Sequence, residues 1–437
     1  MKIRKPCAFV SRVLATGGAA LVLSVTAARA TYSIAACDAK TRECGVAVQT
    51  NNLAVGASVP YAEAGVGAVV SQFETNPNYG RRGLMLLSQG MSPNEVLQLL
   101  LKEDGNFEGQ GPEARQVAIA AVDGRVMVHS GEEVMRAKWA GSRSGTGYSV
   151  QGNGLAGPQV VEAMERAFVG SNGPLAERLM AALSAGDAAG GQTTGKESAA
   201  LLVRTLDGWP VDIDLRVDHS ADPVGDLRTL YDMQVARRQM GQARRAAASG
   251  SLEQAKTLMI GAVARASSWQ RIWLMGADIA IDIEEPELAL QYLNIVFVEN
   301  PAWVKTTIGD GDYSELGGQP LFQKWVSAEQ KEEALSEYKG FEKSNGASHA
   351  ERIVLAKKLI EVGYSSEAIT LLRGSERQTE SSSQTHSVLA DAFTAKHDLP
   401  RAIDECKMAL ETEPGNIRLR SKLGRLQVAA ERGGNIF

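Results

Sequence analysis

One threonine of this sequence is a candidate catalytic residue because of its position in the chain. Residues 1–30 have the parts of a secretory signal peptide: a basic start, an uncharged run from Ala15 to Ala28, and alanines at positions 28 and 30, where a signal peptidase reads small residues. Cleavage after Ala30 leaves Thr31 first. Its α-amino group, which titrates near pH 8, can then take the proton of its own hydroxyl. We therefore expect Thr31 to be a catalytic nucleophile; the alternative is an inert strand residue in a fold that only binds.

Three polar residues further along are candidates to assist this nucleophile. Lys196 precedes an apolar run, and an ammonium group beside the terminal amine would lower the pKa of that amine and favour its basic form. The alternative is a solvated lysine at a strand entrance. Asn153 and Gln151 can present amide N–H groups, the first to a developing oxyanion and the second to a substrate. A turn beside the intervening glycine is the alternative for both.

A second polar group lies between a predicted strand and a predicted helix. Asn76, Tyr79 and Arg82, the last beside Arg81, fall in the segment TNPNYGRRG. Loops at such junctions often bind substrates, and an arginine there can clamp a carboxylate. We expect substrate binding; the alternative is structural, because Asn76-Pro77 is also a good turn and helix start.

Neither a metal centre nor a cofactor site is predicted. His129 and His219 are the only histidines of the first domain, 90 positions apart, which gives poor support to a zinc site or a Ser-His-Asp triad. No phosphate-binding glycine motif indicates a nucleotide. Cys37 and Cys44 lie on consecutive predicted strands, and their cross-strand placement in an oxidising compartment permits a disulfide. Two separate buried thiols are the alternative.

The leader predicts a periplasmic or secreted protein. Its uncharged run of 14 residues is shorter than the roughly 20 needed by a membrane-spanning helix, and no later segment is as apolar. Removal of the leader takes away five basic residues and no acidic one, so the net charge falls from −5 to −10 and 407 residues remain. An acidic chain without basic clusters is a poor candidate for binding nucleic acid or anionic membranes.

A first domain over residues 31–232 is predicted to position these side chains. Strand runs, including Thr31–Cys37 and Val55–Val59, precede two helices, the second with a capping box of Ser92 and Glu95. Further strands, a second helix pair and a last strand pair follow. Strand blocks separated by helix pairs do not fit a doubly wound sheet, in which strands and helices alternate singly. The order predicts an α+β fold, a four-layer αββα sandwich of two antiparallel sheets.

Several blocks of this domain resemble one bacterial family, the domain of unknown function 1028. The blocks lie between Thr31 and Leu230 and occur in the family's order: TYSIAACDAKTRECGVAVQTN, SQFETNPNYGRRGL, GYSVQGNGLAGP, GKESAALLV and DLRVDHSADPVGDL. The family is grouped with the N-terminal nucleophile hydrolases, which implies the αββα sandwich and a nucleophile at the position of Thr31. It implies no particular substrate.

The second half, residues 233–437, is predicted to be an array of helices. Alanines recur 34 residues apart at Ala255 and Ala289 and again at Ala368 and Ala402, and each follows another alanine by twelve residues. This spacing resembles the tetratricopeptide repeat, in which small residues let paired helices approach closely. The register is lost over residues 302–348. The array is expected to bind a protein partner; the alternatives are a packing appendage or a dimerisation surface that would make a homo-oligomer.

These observations combine into one leading hypothesis. The protein is expected to be an exported hydrolase that cleaves a small amide or a peptide through Thr31, without metal or organic cofactor. The alternative is a non-catalytic periplasmic binding or scaffold protein that uses its helical repeats. Loss of activity in a Thr31→Ala variant separates the two.

Overall fold

The chain divides into two units, Met1–Leu227 and Arg228–Phe437. They are called the N-terminal and the C-terminal unit below. The computed structural model describes residues 30–342, 348–374 and 382–432. The predicted leader, residues 1–29, lies outside the described residues.

The described part of the N-terminal unit is an α+β structure with two antiparallel sheets. Its strands are β1 (Thr31–Cys37), β2 (Cys44–Thr50), β3 (Pro60–Glu63), β4 (Gly67–Phe73), β5 (Arg115–Ala121), β6 (Val126–Ser130), β7 (Gly141–Gly145), β8 (Tyr148–Asn153), β9 (Ser198–Arg204) and β10 (Ile213–Val217). The larger sheet has the order β10-β9-β2-β1-β8-β7 and the smaller one the order β3-β4-β5-β6. Strand β1 is therefore a central strand, paired with β2 and with β8.

Helices cover the two sheets on their outer faces. The helices of this unit are α1 (Pro77–Ser88), α2 (Pro93–Lys102), α3 (Glu132–Met135), α4 (Gln159–Gly170) and α5 (Leu175–Ala188). Helices α1 and α2 pack on the smaller sheet, whereas α5 packs on β1, β2 and β9 of the larger one. The predicted capping box of α2 is confirmed: Ser92 and Glu95 cap each other's backbone N–H groups.

The sequence of β1 shows why both of its faces are buried. All seven residues are buried, because alternate side chains point to opposite faces and each face is covered. Ala35 and Cys37 join the apolar core shared by the two sheets. Tyr32 lies on the other face, against α5 near Gly186. This double burial fixes the register of β1 and therefore the position of Thr31.

The strand expected at Val55–Val59 is not formed. Residues Val55–Ala57 form a short 3-10 turn, and β3 begins only at Pro60. Ala54 has a positive φ of 54° and the backbone N–H of Val55 donates to the Ser198 hydroxyl, 3.0 Å away. The chain therefore bends here between the sheets, and the apolar valines fill the shared core without joining a ladder.

The C-terminal unit is helical in its described residues. Its helices are α6 (Pro223–Ala248, which begins in the N-terminal unit), α7 (Leu252–Arg265), α8 (Gln270–Asp282), α9 (Pro286–Glu299), α10 (Pro301–Thr307), α11 (Pro320–Gln323), α12 (Ala328–Glu342), α13 (His349–Glu361), α14 (Ser365–Arg373), α15 (Ser383–Ala395), α16 (Leu399–Thr412) and α17 (Ile417–Glu431). Helices α10, α11 and α12 fall in the segment expected to be irregular. None of the described helices combines the length and the apolar character needed to cross a bilayer.

The recurring alanines of this unit lie where neighbouring helices meet. All eight are fully buried: Ala243, Ala255, Ala277, Ala289, Ala356, Ala368, Ala390 and Ala402. The first four belong to one apolar cluster and the last four to another. A larger side chain at any of them would have to displace a packed helix.

Candidate functional site

Thr31 stands at one end of the core that the two sheets share. It is the first residue of β1 and only 4% exposed. Its register partners are Thr50 on β2 and Asn153 on β8. Because paired residues of antiparallel strands point to the same face, the three side chains are neighbours on the face that looks towards the smaller sheet.

Around Thr31 the shared core changes from apolar to polar. We call the buried hydroxyl and amide side chains at this end the polar cluster; its members are Thr31, Ser33, Thr50, Gln72, Gln116, Gln151 and Asn153. Gln72 and Gln116 come from β4 and β5 of the smaller sheet, and the others from the larger sheet. Buried polar groups without partners are costly, so the hydrogen bonds of the cluster decide its geometry.

Hydrogen bonds between the sheets fix three amides of the polar cluster, those of Gln72, Gln116 and Asn153. The Ser33 hydroxyl donates to Gln72 Oε1 at 2.6 Å, and Gln72 Nε2 donates to Gln116 Oε1 at 2.7 Å and to the Thr31 carbonyl at 3.4 Å. Asn153 Nδ2 donates to the same Gln116 oxygen at 2.8 Å. The chain of bonds sets which way each amide points, and it places a held asparagine directly across from Thr31.

The Thr31 hydroxyl is oriented by the neighbouring strand. Its oxygen lies 3.0 Å from the Thr50 hydroxyl oxygen, and Thr50 in turn donates to the Ala30 carbonyl at 2.9 Å. Since the Thr50 proton is engaged there, the Thr31 hydroxyl is the donor in the bond between the two threonines. The Ala30 carbonyl also accepts from the backbone N–H of Asn51 at 3.4 Å and from Gln192 Nε2.

Gln151 is a buried amide with free hydrogen-bonding capacity. It is 0% exposed, and neither its nitrogen nor its oxygen has a partner among the described residues. Asn153 Oδ1, two residues along β8 on the same face, is also without one. Such atoms at the end of a core are available to a ligand or to water. Of the sequence candidates, Asn153 is the register partner of Thr31, and Gln151 is the register partner of Ser33, two residues further along β1.

Lys196 lies in an ion-pair group. Its Nζ is 3.0 Å from Asp187 and 3.1 Å from Asp222. Partial burial lowers the pKa of this amine, but the hydrogen bonds and charges of the two carboxylates outweigh it and the net direction is upward. Lys196 is thus a protonated, neutralised side chain, and none of its hydrogen bonds in the described chain leads to Thr31.

Asn76 and Tyr79 belong to a second buried group, centred on an ion pair. Asp104 and Arg115 are paired at 3.0 Å with side chains 2% and 1% exposed. The Tyr79 hydroxyl donates to Asp104 at 2.6 Å, and Asn76 donates to it as well while capping α1. Burial and the Asp104 hydrogen bond raise the pKa of Tyr79. Their polar atoms are satisfied within this group.

Arg82 lies at the surface beside that group. It pairs with Glu103, both partners being roughly half exposed. A cavity of about 320 Å³ adjoins it, lined by Asn76, Asn78, Tyr79, Arg81, Arg82, Leu100 and Glu103. Asn76, Tyr79 and Arg82 thus share one region, whose described hydrogen bonds do not reach the polar cluster.

Cys37 and Cys44 form a disulfide at the other end of β1. They are register partners with a Cα–Cα distance of 4.1 Å. The bond closes the β1–β2 hairpin at the end opposite Thr31. Cys406, in the C-terminal unit, is a free and buried thiol. Within the described ranges no three His, Cys, Asp or Glu side chains are grouped to hold a metal ion.

Sequence reasoning missed five residues around Thr31. They are Thr50, Asn51, Gln72, Gln116 and Gln192. Gln72 and Gln116 carried a signal, because each is a polar residue in a buried strand made mostly of apolar residues. Gln192 carried none: a bridge between its backbone and Leu155 brings it to the site from a distant loop.

Comparisons with known proteins place the N-terminal unit in one family. Residues 31–227 match the model of a family described as "Family of unknown function (DUF1028)". The crystal structure of protein SPO2555 from Silicibacter pomeroyi, described with the same family, is 30% identical in sequence, and the match covers 46% of this chain and 88% of that one with a TM-score of 0.41. No curated protein matches this chain.

Proposed function

Since the chain belongs, through residues 31–227, to the DUF1028 family of unknown function, we propose a function from the surroundings of Thr31. The proposed function is that of an exported hydrolase, which cleaves an amide bond with Thr31 as N-terminal nucleophile. The observation that carries the proposal is the pairing of the Thr31 and Thr50 hydroxyls at 3.0 Å, at the polar end of a buried central strand. The proposal includes periplasmic or secreted localisation and cleavage of the leader after Ala30.

The proposed fold is the αββα sandwich of N-terminal nucleophile hydrolases. Its support is the packing of helices on the outer faces of two antiparallel sheets that share a core. A nucleophile at the start of a central strand, paired on both sides, keeps one position, whereas most chain termini fray. That rigidity lets an α-amine act reliably on the hydroxyl of the same residue.

In the proposed reaction the Thr31 hydroxyl oxygen attacks the carbonyl carbon of the amide. An Oγ–C bond forms, and the hydroxyl proton passes to the α-amine, directly or through one water. Collapse of the tetrahedral intermediate breaks the C–N bond, and the α-ammonium gives its proton to the leaving nitrogen. Water then attacks the ester with the α-amine as base, which releases the acid and restores Thr31. A positioned base of this kind contributes about 10²–10⁴-fold to the rate.

The polar cluster supplies the other proposed roles. Asn153, held by Gln116 across from Thr31, is the candidate for a catalytic amide, and the unpartnered Gln151 is the candidate for binding substrate. Lys196 receives no part in lowering the pKa of the α-amine, since two carboxylates neutralise its charge. Asn76, Tyr79 and Arg82 would bind only an extension of the substrate that reaches their cavity.

The first test is the intact mass of the exported protein before and after exposure to a β-lactone electrophile. We expect a chain that begins at Thr31 and gains one adduct. Thr31→Ala should abolish the adduct, Thr31→Ser should keep it, and Thr41→Ala, which changes an exposed threonine of the β1–β2 turn, should leave it unchanged. A chain that begins elsewhere lacks the α-amine at the site and would overturn the mechanism. The expected start without an adduct would favour the binding role.

A second candidate function, partner binding by tetratricopeptide-like repeats, is favoured by a groove in the C-terminal unit. The arginine–tryptophan groove has a volume of about 610 Å³ and is lined by Arg237, Arg244, Trp269, Arg271, Leu274, Met275, Asp278, Trp303 and Thr307. Three arginines face one aspartate, and Arg244 pairs with that aspartate at 3.0 Å. Apolar side chains between cationic ones suit an acidic peptide that carries a large apolar residue.

Titration of the full chain with an acidic leucine-containing peptide tests this candidate through tryptophan fluorescence. We expect binding that weakens with salt and is lost in Arg271→Glu. Arg166→Glu, at an exposed position of α4 in the other unit, is the matched control. Equal affinity of the two variants would exclude the groove as the docking site. Self-association of the chain in place of peptide binding would instead identify a homo-oligomer interface.

A further inference from the structure

Ala30 is held by hydrogen bonds to both its backbone N–H and its carbonyl oxygen. Its N–H donates to Asn51 Oδ1 at 3.2 Å. Its carbonyl oxygen accepts from the Thr50 hydroxyl at 2.9 Å, from the Asn51 backbone N–H at 3.4 Å and from Gln192 Nε2. Three donors on one carbonyl oxygen are more than an ordinary strand residue receives, because a strand carbonyl takes a single ladder bond.

The residues that hold Ala30 are themselves fixed. Asn51 Nδ2 donates to the Thr194 hydroxyl at 2.7 Å, which orients the Asn51 oxygen towards the Ala30 N–H. Gln192 is anchored by its backbone bridge to Leu155, and its amide also donates to the Gln49 carbonyl at 3.3 Å. Donors placed in advance in this way stabilise an oxygen without reorganisation.

Ala30 is also fully enclosed, with 0% of its surface exposed. A methyl side chain fits in this place, and a longer one would have to displace packed neighbours. The space around Ala30 therefore selects the residue that occupies it by size as well as by hydrogen bonding.

We infer that Ala30 occupies the acyl subsite, and that the substrates are peptides or amides whose acyl residue is an N-acylated alanine or one of similar size. The inference rests on the proposed function. The Ala30 carbonyl carbon is bonded to the Thr31 nitrogen, and in an acyl-enzyme the substrate carbonyl carbon is bonded to the Thr31 hydroxyl oxygen. The nitrogen and the hydroxyl oxygen both belong to Thr31. A substrate acyl group attached to the oxygen therefore lies next to the hydrogen-bond donors that lose Ala30 when the chain is cleaved.

Each contact of Ala30 then acquires a role towards the substrate. The Thr50 hydroxyl, the Asn51 N–H and the Gln192 amide stabilise the oxyanion that forms when Thr31 attacks. Asn51 Oδ1 accepts the N–H of the acyl residue, so a residue with this N–H is preferred over a plain carboxylic acyl group. A site built to bond a polar group rejects an analogue that lacks it.

The test uses the whole chain that remains after cleavage behind Ala30. It compares the acylation of this chain by the p-nitrophenyl esters of N-acetylalanine, propionic acid and N-acetylleucine. Acylation is read by intact mass and by nitrophenol release. We expect N-acetylalanine to react roughly tenfold faster than propionic acid, for loss of one hydrogen bond, and faster again than N-acetylleucine. Asn51→Ala should remove the preference over propionic acid, whereas Asn51→Asp, which keeps an acceptor oxygen, should retain most of it.

The β-lactone adduct separates the two ways in which this test can fail. If Thr31 forms that adduct but reacts with the three esters at equal rates, the acyl subsite is not the place of Ala30 and the inference is overturned while the nucleophile stands. If a preference exists but Asn51→Ala leaves it unchanged, the assigned acceptor is wrong and the inference again fails. If neither lactone nor ester reacts, the proposed function itself is overturned.

Discussion

The hydroxyl oxygens of Thr31 and Thr50 lie 3.0 Å apart across two neighbouring strands of the larger sheet. Both threonines are buried, and the Thr50 hydroxyl donates a hydrogen bond to the Ala30 carbonyl. The pair therefore links the candidate nucleophile to the peptide group that precedes it. Thr50 is a positioning residue in the proposed reaction, and it becomes an oxyanion donor once Ala30 has left.

Removal of the Thr50 hydroxyl should slow the reaction of Thr31. Thr50→Val keeps the shape of the side chain but removes the hydrogen bond, and we expect the rate of β-lactone labelling to fall roughly 10- to 100-fold. Thr50→Ser should restore most of it. Labelling of Thr50→Val at the parent rate would show that the hydroxyl pair has no part in activation. Unchanged far-ultraviolet circular dichroism would verify that each variant is folded.

The Asp104–Arg115 pair should contribute to stability and not to chemistry. Asp104→Asn leaves a buried guanidinium without its counter-charge, and we expect the free energy of unfolding of the N-terminal unit to fall by about 3–5 kcal/mol. Arg82→Gln breaks an exposed pair with Glu103 and should cost less than about 1 kcal/mol. Denaturant unfolding of the full chain measures both. A larger effect of Arg82→Gln on substrate turnover than on stability would support the substrate-binding role predicted for it.

The C-terminal unit should lose stability as the pH rises from about 5 to 7. Burial raises the pKa of Glu361 from 4.5 to about 7, although backbone N–H groups of Gly309 and Tyr313 donate to the carboxylate and lower it in part. With a raised folded-state pKa the folded chain binds this proton more tightly than the unfolded chain. The stabilisation is thus full below the unfolded value of 4.5, decreases between 4.5 and about 7, and amounts to on the order of 3 kcal/mol.

Glu361→Gln should flatten this part of the pH profile. The measurement is denaturant unfolding of the full chain at several pH values between 4.5 and 8, with the exposed Glu329→Gln as control. Burial and the nearby Glu315 also raise the pKa of Glu284, to about 8, so a residual slope in the same direction remains expected. A Glu361→Gln profile parallel to that of the parent protein would contradict the assignment.

The disulfide should stabilise the hairpin that carries Thr31. Since Cys37 and Cys44 are seven positions apart, closing so short a loop restricts the unfolded chain modestly, and a Cys37→Ala/Cys44→Ala variant should lose about 2 kcal/mol. Burial raises the pKa of the Cys406 thiol to about 12, so that thiol should react with a thiol reagent only after unfolding. Fast modification of Cys406 in the native protein would contradict this.

Much of the local structure follows from local pattern. The strand run over Thr31–Cys37, the capping box at Ser92 and the 34-residue spacing of the alanines are predicted from the sequence, and the structure has a strand, a helix start and buried residues at these places. The bend at Val55 was not legible. Its β-branched, apolar residues favour a strand, but a left-handed Ala54 and a hydrogen bond from the Val55 N–H to Ser198, 143 positions away, override that propensity.

The candidate site combines one residue that local pattern points to with neighbours that long-range contacts supply. Thr31 could be selected from the sequence as a candidate, because the chemistry proposed for it depends on its place after a predicted leader and at the start of a strand. The side chains that surround it could not, since strand pairing and sheet stacking bring them from distant parts of the chain: Thr50, Gln72, Gln116, Asn153 and Gln192. The same packing placed Tyr79 beside Asp104 and Lys196 between two carboxylates. A side chain's partners depend on long-range contacts, which the local sequence does not specify.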